Sequence, residues 1–218
     1  MDLGEPLASG RTAHVYGIDA ERVLRRDHVE IDAGRVAREV AYMRHAAAHG
    51  IPVPHVFDAD GRDIVMERIT GPDLRAAFHA GRLGLADVAR HVTDLLGRLR
   101  HVPGLRGQQL VHLDLHPENV LLGAAGPVLI DWANAGDGDP DLDAALALLV
   151  VAEVAVAPGA EAALRELVML TAAGISGDPL RCLDEALGRR LANRTLGAAE
   201  KARLPTAGEL VRAALLAR

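Results

Sequence analysis

Polar and apolar residues alternate at the start of the chain and then change period. Residues 7–18, LASGRTAHVYGI, followed by Glu21-Arg22-Val23-Leu24-Arg25, predict a strand, a small-residue turn, a second strand and a third. From 33 to 49 the period is helical, with Val36, Val40, Met43 and Ala47 on one stripe. Asp32 is placed as its N-cap, while Gly50, Pro52 and Pro54 close it. Glu39 falls on the same stripe, where a carboxylate must find a partner or reach solvent at the stripe's edge. Ile64-Val65-Met66 makes a short strand, and a turn over 67–72 separates this part from the next. Leu85, Val88, Val92, Leu95, Leu99 and Val102 mark a second amphipathic helix. The runs Val120-Leu121-Leu122 and Val128-Leu129-Ile130, parted by Gly123 to Gly126, predict a hairpin. Helices are then expected over 142–157, 160–173, 180–196 and 209–217.

Composition narrows the class. With 218 residues the chain is long enough to bury a core, and with 50% hydrophobic but 2% aromatic residues that core is built from Ala, Val and Leu. A net charge of -6 gives no basic excess, so neither nucleic acid nor a membrane surface is an expected partner. Cys182 is the sole cysteine, which rules out an internal disulfide and fits a reducing compartment. The first residues lack the features of a signal peptide, and the longest apolar run, 144–157, carries Glu153 and stops at Pro158, so a cytoplasmic protein is expected. Lys201 is the only lysine, and neither a Gly-Lys-Ser/Thr phosphate loop nor a Gly-x-Gly-x-x-Gly fingerprint occurs.

The polar residues around the hairpin carry the chemistry. His112, Asp114, His116 and Asn119 precede its first strand, and Asp131 ends the second. A chain that folds back there brings Asn119 and Asp131 together with Asp114 on the loop leading in, which suits a magnesium ion beside a proton acceptor. A rival is a zinc hydrolase using His112, Asp114 and His116, although it leaves Asn119 and Asp131 without a purpose. The run Gly136 to Asp143, GDGDPDLD, fails as a calcium loop because Leu142 and Leu148 stand where Gly and Glu are needed, so a solvated loop is expected.

His112-Leu-Asp114-Leu-His116-Pro-Glu-Asn119, with Ile130-Asp131-Trp132 at hairpin distance, resembles the aminoglycoside phosphotransferase and choline kinase family. The resemblance runs from Leu7 to about Leu149. It implies an α+β, two-lobed protein-kinase-like fold, with a small β-rich N-lobe carrying one helix and a mostly helical C-lobe. Residues 1–66 then form the nucleotide-binding lobe, 67–72 a hinge, and 73–218 the lobe holding the catalytic loop and the substrate site. The implied activity is transfer of the γ-phosphate of ATP, or GTP, to a hydroxyl of a small molecule, with Mg2+.

The resemblance also implies roles for individual residues. Asp114 becomes the catalytic base, Asn119 and Asp131 the metal ligands, His112 a buried organiser of the loop, His116 part of the site wall and Asp143 the brace of the loop. Ser9, Gly10, Arg11 and Thr12 become the loop over the phosphates, and Val15 packs on the base. Met66, Glu67 and Ile69 belong to the linker at the adenine edge, with Ile130 on the nucleotide side of the metal motif. Arg25 takes the position of the phosphate-binding lysine, held by Glu39. That exchange, with a glycine-poor loop, leaves a degenerate nucleotide-binding protein as the competing reading. Residues 151–218 carry 8 acidic and 9 basic residues, without the acidic excess expected of a pocket for polycationic aminoglycosides.

Overall fold

The computed structural model describes residues 4–10, 12–28 and 33–218. A five-stranded antiparallel sheet comes first, built from β1 (Ala8–Ser9), β2 (Ala13–Gly17), β3 (Arg22–Asp27), β4 (Val56–Asp60) and β5 (Asp63–Glu67) in the order β1-β2-β3-β5-β4. Between β3 and β4 lies α1 (Ala33–Ala48). On β3 the side chains of Val23, Leu24, Arg25 and Asp27 are all buried, so a charged pair occupies positions that sequence alternation assigns to core. The strand β4 was not evident in the sequence because it is an edge strand with three of its five residues exposed, and so lacks an apolar alternation.

The expected stripe of α1 is shifted by one position at its end. Val36, Glu39, Val40, Met43 and Ala46 are buried together with Tyr42, whereas Ala47 is exposed. Gly50, at φ +77°, ends the helix in the left-handed conformation its lack of a Cβ allows. The expected cap Asp32 lies outside the described residues. Three bonds fasten α1 and its exit to the second part of the chain. Tyr42 Oη donates to Asp137 Oδ1 at 2.8 Å, His45 Nε2 bonds the Pro103 carbonyl at 2.6 Å, and Arg98 donates to the Gly50 carbonyl.

The helical lobe contains α2 (Leu74–His79), α3 (Leu85–Leu99), α4 (Pro140–Ala155), α5 (Ala162–Gly174), α6 (Leu183–Ala192) and α7 (Ala198–Leu216). Two small β units, the pair β6 (Gln109–Val111) with β9 (Gly136–Gly138) and the hairpin β7 (Val120–Gly123) with β8 (Gly126–Leu129), are set among them. Helix α4 is the centre of the lobe: it packs on α3, α5, α6 and α7, and most of its residues are buried on every side. That explains the apolar run ending at Pro158 as a core helix. Among the described residues no helix is long and apolar enough to cross a membrane. Helix α7 begins well before the expected 209 and runs through Pro205, which can neither donate to the preceding turn nor be read from sequence as helix interior.

The run GDGDPDLD is ordered rather than solvated, and each of its aspartates has a task. Asp137 gathers the Tyr42 hydroxyl and the amides of Leu105 and Arg106, and Asp139 caps α4 through the Asp141 amide. Asp141 pairs with Arg100 and Arg181, and Asp143 reaches the loop before β7. Alternating aspartates look solvent-facing in one dimension, but here a short strand followed by a helix start sends them in different directions.

The segment leaving the sheet is pinned to the hairpin. Leu122 N donates to the Pro72 carbonyl at 2.8 Å, and an ideal Cβ on Gly71 would lie 1.6 Å from the Leu122 carbonyl oxygen. Gly71→Ala therefore has to push these two backbones apart. Its expected cost is about 1–3 kcal/mol, the usual range for overpacking, read as a lower midpoint of denaturant unfolding. An unchanged midpoint would show that this approach is not needed.

Candidate active site

The loop before β7 is held by one buried carboxylate. Asp143, in the first turn of α4 and 2% exposed, accepts the His112 amide at 2.8 Å on Oδ2 and the Leu113 amide at 2.7 Å on Oδ1. Leu113 sits at φ +63°, and Asp131 at φ +61° is the only other described non-glycine residue in the left-handed region. Such a conformation costs a bulky residue on the order of 1–2 kcal/mol, and the two bonds to Asp143 hold it. Burial pushes the Asp143 carboxyl up to about 6, against the pull of the two amides. His112 is fully buried, its Nε2 bonding the Ile130 carbonyl at 3.1 Å and its ring standing edge-on to Trp132. Burial lowers its pKa to about 4, so the imidazole is neutral and Nε2 carries the proton that the carbonyl accepts.

The reversed peptide at Leu113 turns Asp114 toward the hairpin. Asn119 Nδ2 donates to the Asp114 carbonyl at 2.9 Å, and Ile130 N donates to the Asn119 carbonyl at 2.9 Å, which locks the start of β7 to the end of β8. With Nδ2 engaged, the Asn119 Oδ1 has no protein partner among the described residues. The Asp131 carboxylate is exposed and likewise forms no hydrogen bond or ion pair with a described residue. Its charge is nevertheless felt at Glu39, His112 and Asp114, so it stands at the point where the two lobes meet. Burial above all raises the proton affinity of Asp114, with the Asp131 charge adding to it, while His116, Arg190 and a long 3.4 Å bond from Asn134 Nδ2 oppose it.

Across from the hairpin, Arg25 is gripped twice. It donates through Nη1 and Nη2 to both oxygens of Glu39, the second at 2.9 Å, and through Nη2 to Asp27 Oδ1 at 2.9 Å. All three residues are buried. Burial works against the guanidinium charge, but the bonds to and charges of Glu39 and Asp27 outweigh it and raise the pKa above its ordinary value. Burial raises the Glu39 carboxyl, Arg25 opposing it. Glu39 thus takes the paired option of its two, because β3 delivers Arg25 directly beneath its helix. Asp27 was not singled out in the sequence, although its position two residues beyond Arg25, on the same strand face, was the available signal. Arg26 points the other way and pairs with Asp63 in the facing strand.

The remaining positions are distributed around the sheet. Ser9 at the end of β1 and Gly10 and Thr12 in the turn after it are exposed, and Gly10 N closes the turn on the Ala13 carbonyl at 2.9 Å; Arg11 lies outside the described residues. Val15 pairs in register with Ala8 and Arg25 and is half-buried. Met66 and Ile69 are half-buried, and the exposed Glu67 turns its carboxylate to the His55 amide at 3.1 Å. His116 is half-buried, with Nδ1 3.9 Å from Glu118. Among the described residues no group of three or more His, Cys, Asp or Glu side chains converges as a metal site, which counts against the zinc triad.

The family model described as phosphotransferase enzyme family matches residues 4–109 and 84–174. No curated protein sequence matches this one. The fold is similar to a thermostable mutant of the aminoglycoside phosphotransferase APH(4)-Ia in ternary complex with ADP and hygromycin B, at 15% identity and a TM-score of 0.63, covering 97% of this chain and 92% of that one. It is similar also to the streptomycin–ATP–APH(2")-IIa ternary complex, at 14% identity and a TM-score of 0.61 over 95% and 90% of the two chains. The gentamicin–APH(2")-IIa complex gives 12% identity and a TM-score of 0.63 over 97% and 94%.

The buried imidazole makes stability depend on pH. An unfolded His112 takes up a proton near pH 6.5, while the folded one does so only near 4. Its contribution is therefore full above pH 6.5 and is lost as the pH falls toward 4, a change of about 3 kcal/mol. Asp143 has the opposite slope below pH 6 but is common to both proteins compared. His112→Gln should thus narrow its stability gap to the wild type as the pH is lowered from 6.5 to 4, measured by denaturant unfolding. A gap that is constant with pH would mean the imidazole is not kept neutral.

Proposed function

The chain belongs to the phosphotransferase enzyme family, and from that premise we propose that it moves the γ-phosphate of ATP to a hydroxyl of a small molecule in the cleft where Asp114, Asn119 and Asp131 face the Arg25–Glu39 pair. GTP is the alternative donor. The observation that carries the reading is the convergence, around one loop, of a carboxylate of raised proton affinity with an amide oxygen and a carboxylate that have no partners among the described residues.

Each group has a part in the transfer. Asp114 accepts the proton of the acceptor hydroxyl as its oxygen bonds to phosphorus and the bond to the nucleoside diphosphate breaks. Asn119 Oδ1 and Asp131 are hard oxygen donors of the kind Mg2+ prefers and would hold it. The ion supplies charge neutralisation on the transferring phosphate. Residues 1–66 hold the nucleotide, with the turn at Ser9 to Thr12 over its phosphates and residues 67–72 as the hinge at the base; residues 73–218 hold the acceptor. Cys182 is buried and free, which fits a reducing cytoplasm.

A second reading has one observation in its favour. Arg25 is already engaged by two carboxylates, leaving less of its fork for phosphate than a singly paired lysine would offer. A protein that binds nucleotide and does not transfer phosphate would follow if that grip is too weak.

Two variants distinguish the readings. Asp114→Asn should lower kcat about 10²–10⁴-fold, the usual contribution of a positioned base, while nucleotide affinity holds. Asp131→Ala should abolish the Mg2+-dependent part of nucleotide binding. Equal transfer by wild type and Asp114→Asn would sink the catalytic assignment, and nucleotide binding without transfer in the wild type would favour the second reading.

A further inference from the structure

Arg25 is held on two edges, and the two are held unequally. A guanidinium offers one edge between Nη1 and Nη2 and another between Nη2 and Nε. Glu39 fills the first with both of its oxygens. Asp27 takes the second with a single bond, from Nη2 to Oδ1 at 2.9 Å. The bond that would complete this edge, from Nε to Oδ2, is not made. Both atoms are buried, and neither has a hydrogen-bond partner among the described residues. Asp27 is the deeper of the two, with 1% of its side chain exposed against 10% for Arg25. The strand register sets it beside the turn after β1. Asp27 stands opposite Ala13, whose carbonyl closes that turn by accepting the Gly10 amide, and Arg25 stands opposite Val15. On one strand face, therefore, Asp27 lies on the turn side of Arg25.

We propose that Asp27 competes with the nucleotide phosphates for Arg25 and thereby sets how tightly the nucleotide is held. Two phosphate oxygens match the Nη2 and Nε donors as a carboxylate does, and the other edge is already taken by Glu39. A phosphate that arrives there gives Nε its missing partner and displaces one bond rather than two. Glu39 keeps both of its bonds meanwhile and holds the guanidinium in place. Asp27 is then a like charge next to the phosphates, in a buried setting where solvent and salt screen little of the repulsion. The penalty falls on phosphorylated ligands and spares the nucleoside, so it also favours departure of the nucleoside diphosphate. Arg26, the next residue along the strand, is no substitute, because it points to the opposite face and forks onto Asp63. The inference rests on the phosphotransfer reading in taking the cleft to hold a nucleotide, and it gives Asp27 a part which that reading does not use.

Calorimetric titration of the full chain in Mg2+ with AMP-PNP, ADP and adenosine, and with the guanine series, tests the proposal. Asp27→Asn removes the charge and keeps the shape. Asp27→Ser removes it with a smaller side chain, in case the amide turns its N–H groups onto Arg25. In at least one folded variant the phosphorylated ligands of one series should bind about tenfold more tightly than to the wild type, the effect of one charge-assisted bond. The nucleoside of that series should bind both proteins equally. Removal of a side chain with only a structural part would weaken binding, so the direction of the change separates the two roles. Unchanged or weaker binding of the phosphorylated ligands, equal tightening of the nucleoside, or loss of folding in both variants overturns the proposal. Tighter nucleotide binding in a chain that phosphorylates no hydroxyl acceptor would support it and overturn the phosphotransfer reading. A wild type that binds none of the nucleotides overturns both.

Discussion

The grip of Asp143 on two consecutive amides is the constraint on which the rest of the site depends. Without it, Leu113 would relax from its left-handed conformation, and the peptide that aims Asp114 would turn with it. The clamp works because α4 is the most buried helix of its lobe and cannot yield. A carboxylate in its first turn is also favoured by the helix dipole and by the amides it accepts, which together offset part of the cost of burying it. Rigidity of the lobe core is thereby converted into the orientation of a single exposed loop.

The N-terminal half of the site is built on a different principle. Arg25, Asp27 and Glu39 form a buried cluster with one more carboxylate than cation, and Asp131 adds its charge from the other lobe. Negative charge gathered in this way is unfavourable by itself and would be offset by a bound cation such as the proposed Mg2+. The fastening of α1 by Tyr42, His45 and Gly50 to the helical lobe means that Glu39 is positioned from both sides: from β3 through Arg25 and from the C-lobe through the helix that carries it. The two halves are joined as well as opposed, since the linker backbone at Pro72 pairs with β7 and the Pro52 carbonyl accepts the Leu129 amide.

Much of this was legible in the order of residues. The catalytic-loop motif, the hairpin after it and the helix carrying Glu39 are local features, set by turn-forming residues, apolar periodicity and spacing over fewer than twenty-five positions. What was missed is non-local. The exposed strand β4 carries little apolar pattern, α7 runs through a proline that reads as a stop, and the aspartates of GDGDPDLD differ only in which distant groups meet them. Asp27 belongs to the same category: its one local signal is its place two residues beyond Arg25, and only the fold shows which partner it meets.

The sequence by itself therefore determined the loop and its polar set, because a carboxylate, an amide and a second carboxylate at those spacings are brought together by a single hairpin. The tertiary structure alone decided which charges meet: that Glu39 is paired rather than exposed, that Arg25 is shared between two acids, and that Glu153 meets Arg190. The physical reason is that the free energy of a charged group depends on burial and on partners far along the chain, and local periodicity carries no information about either.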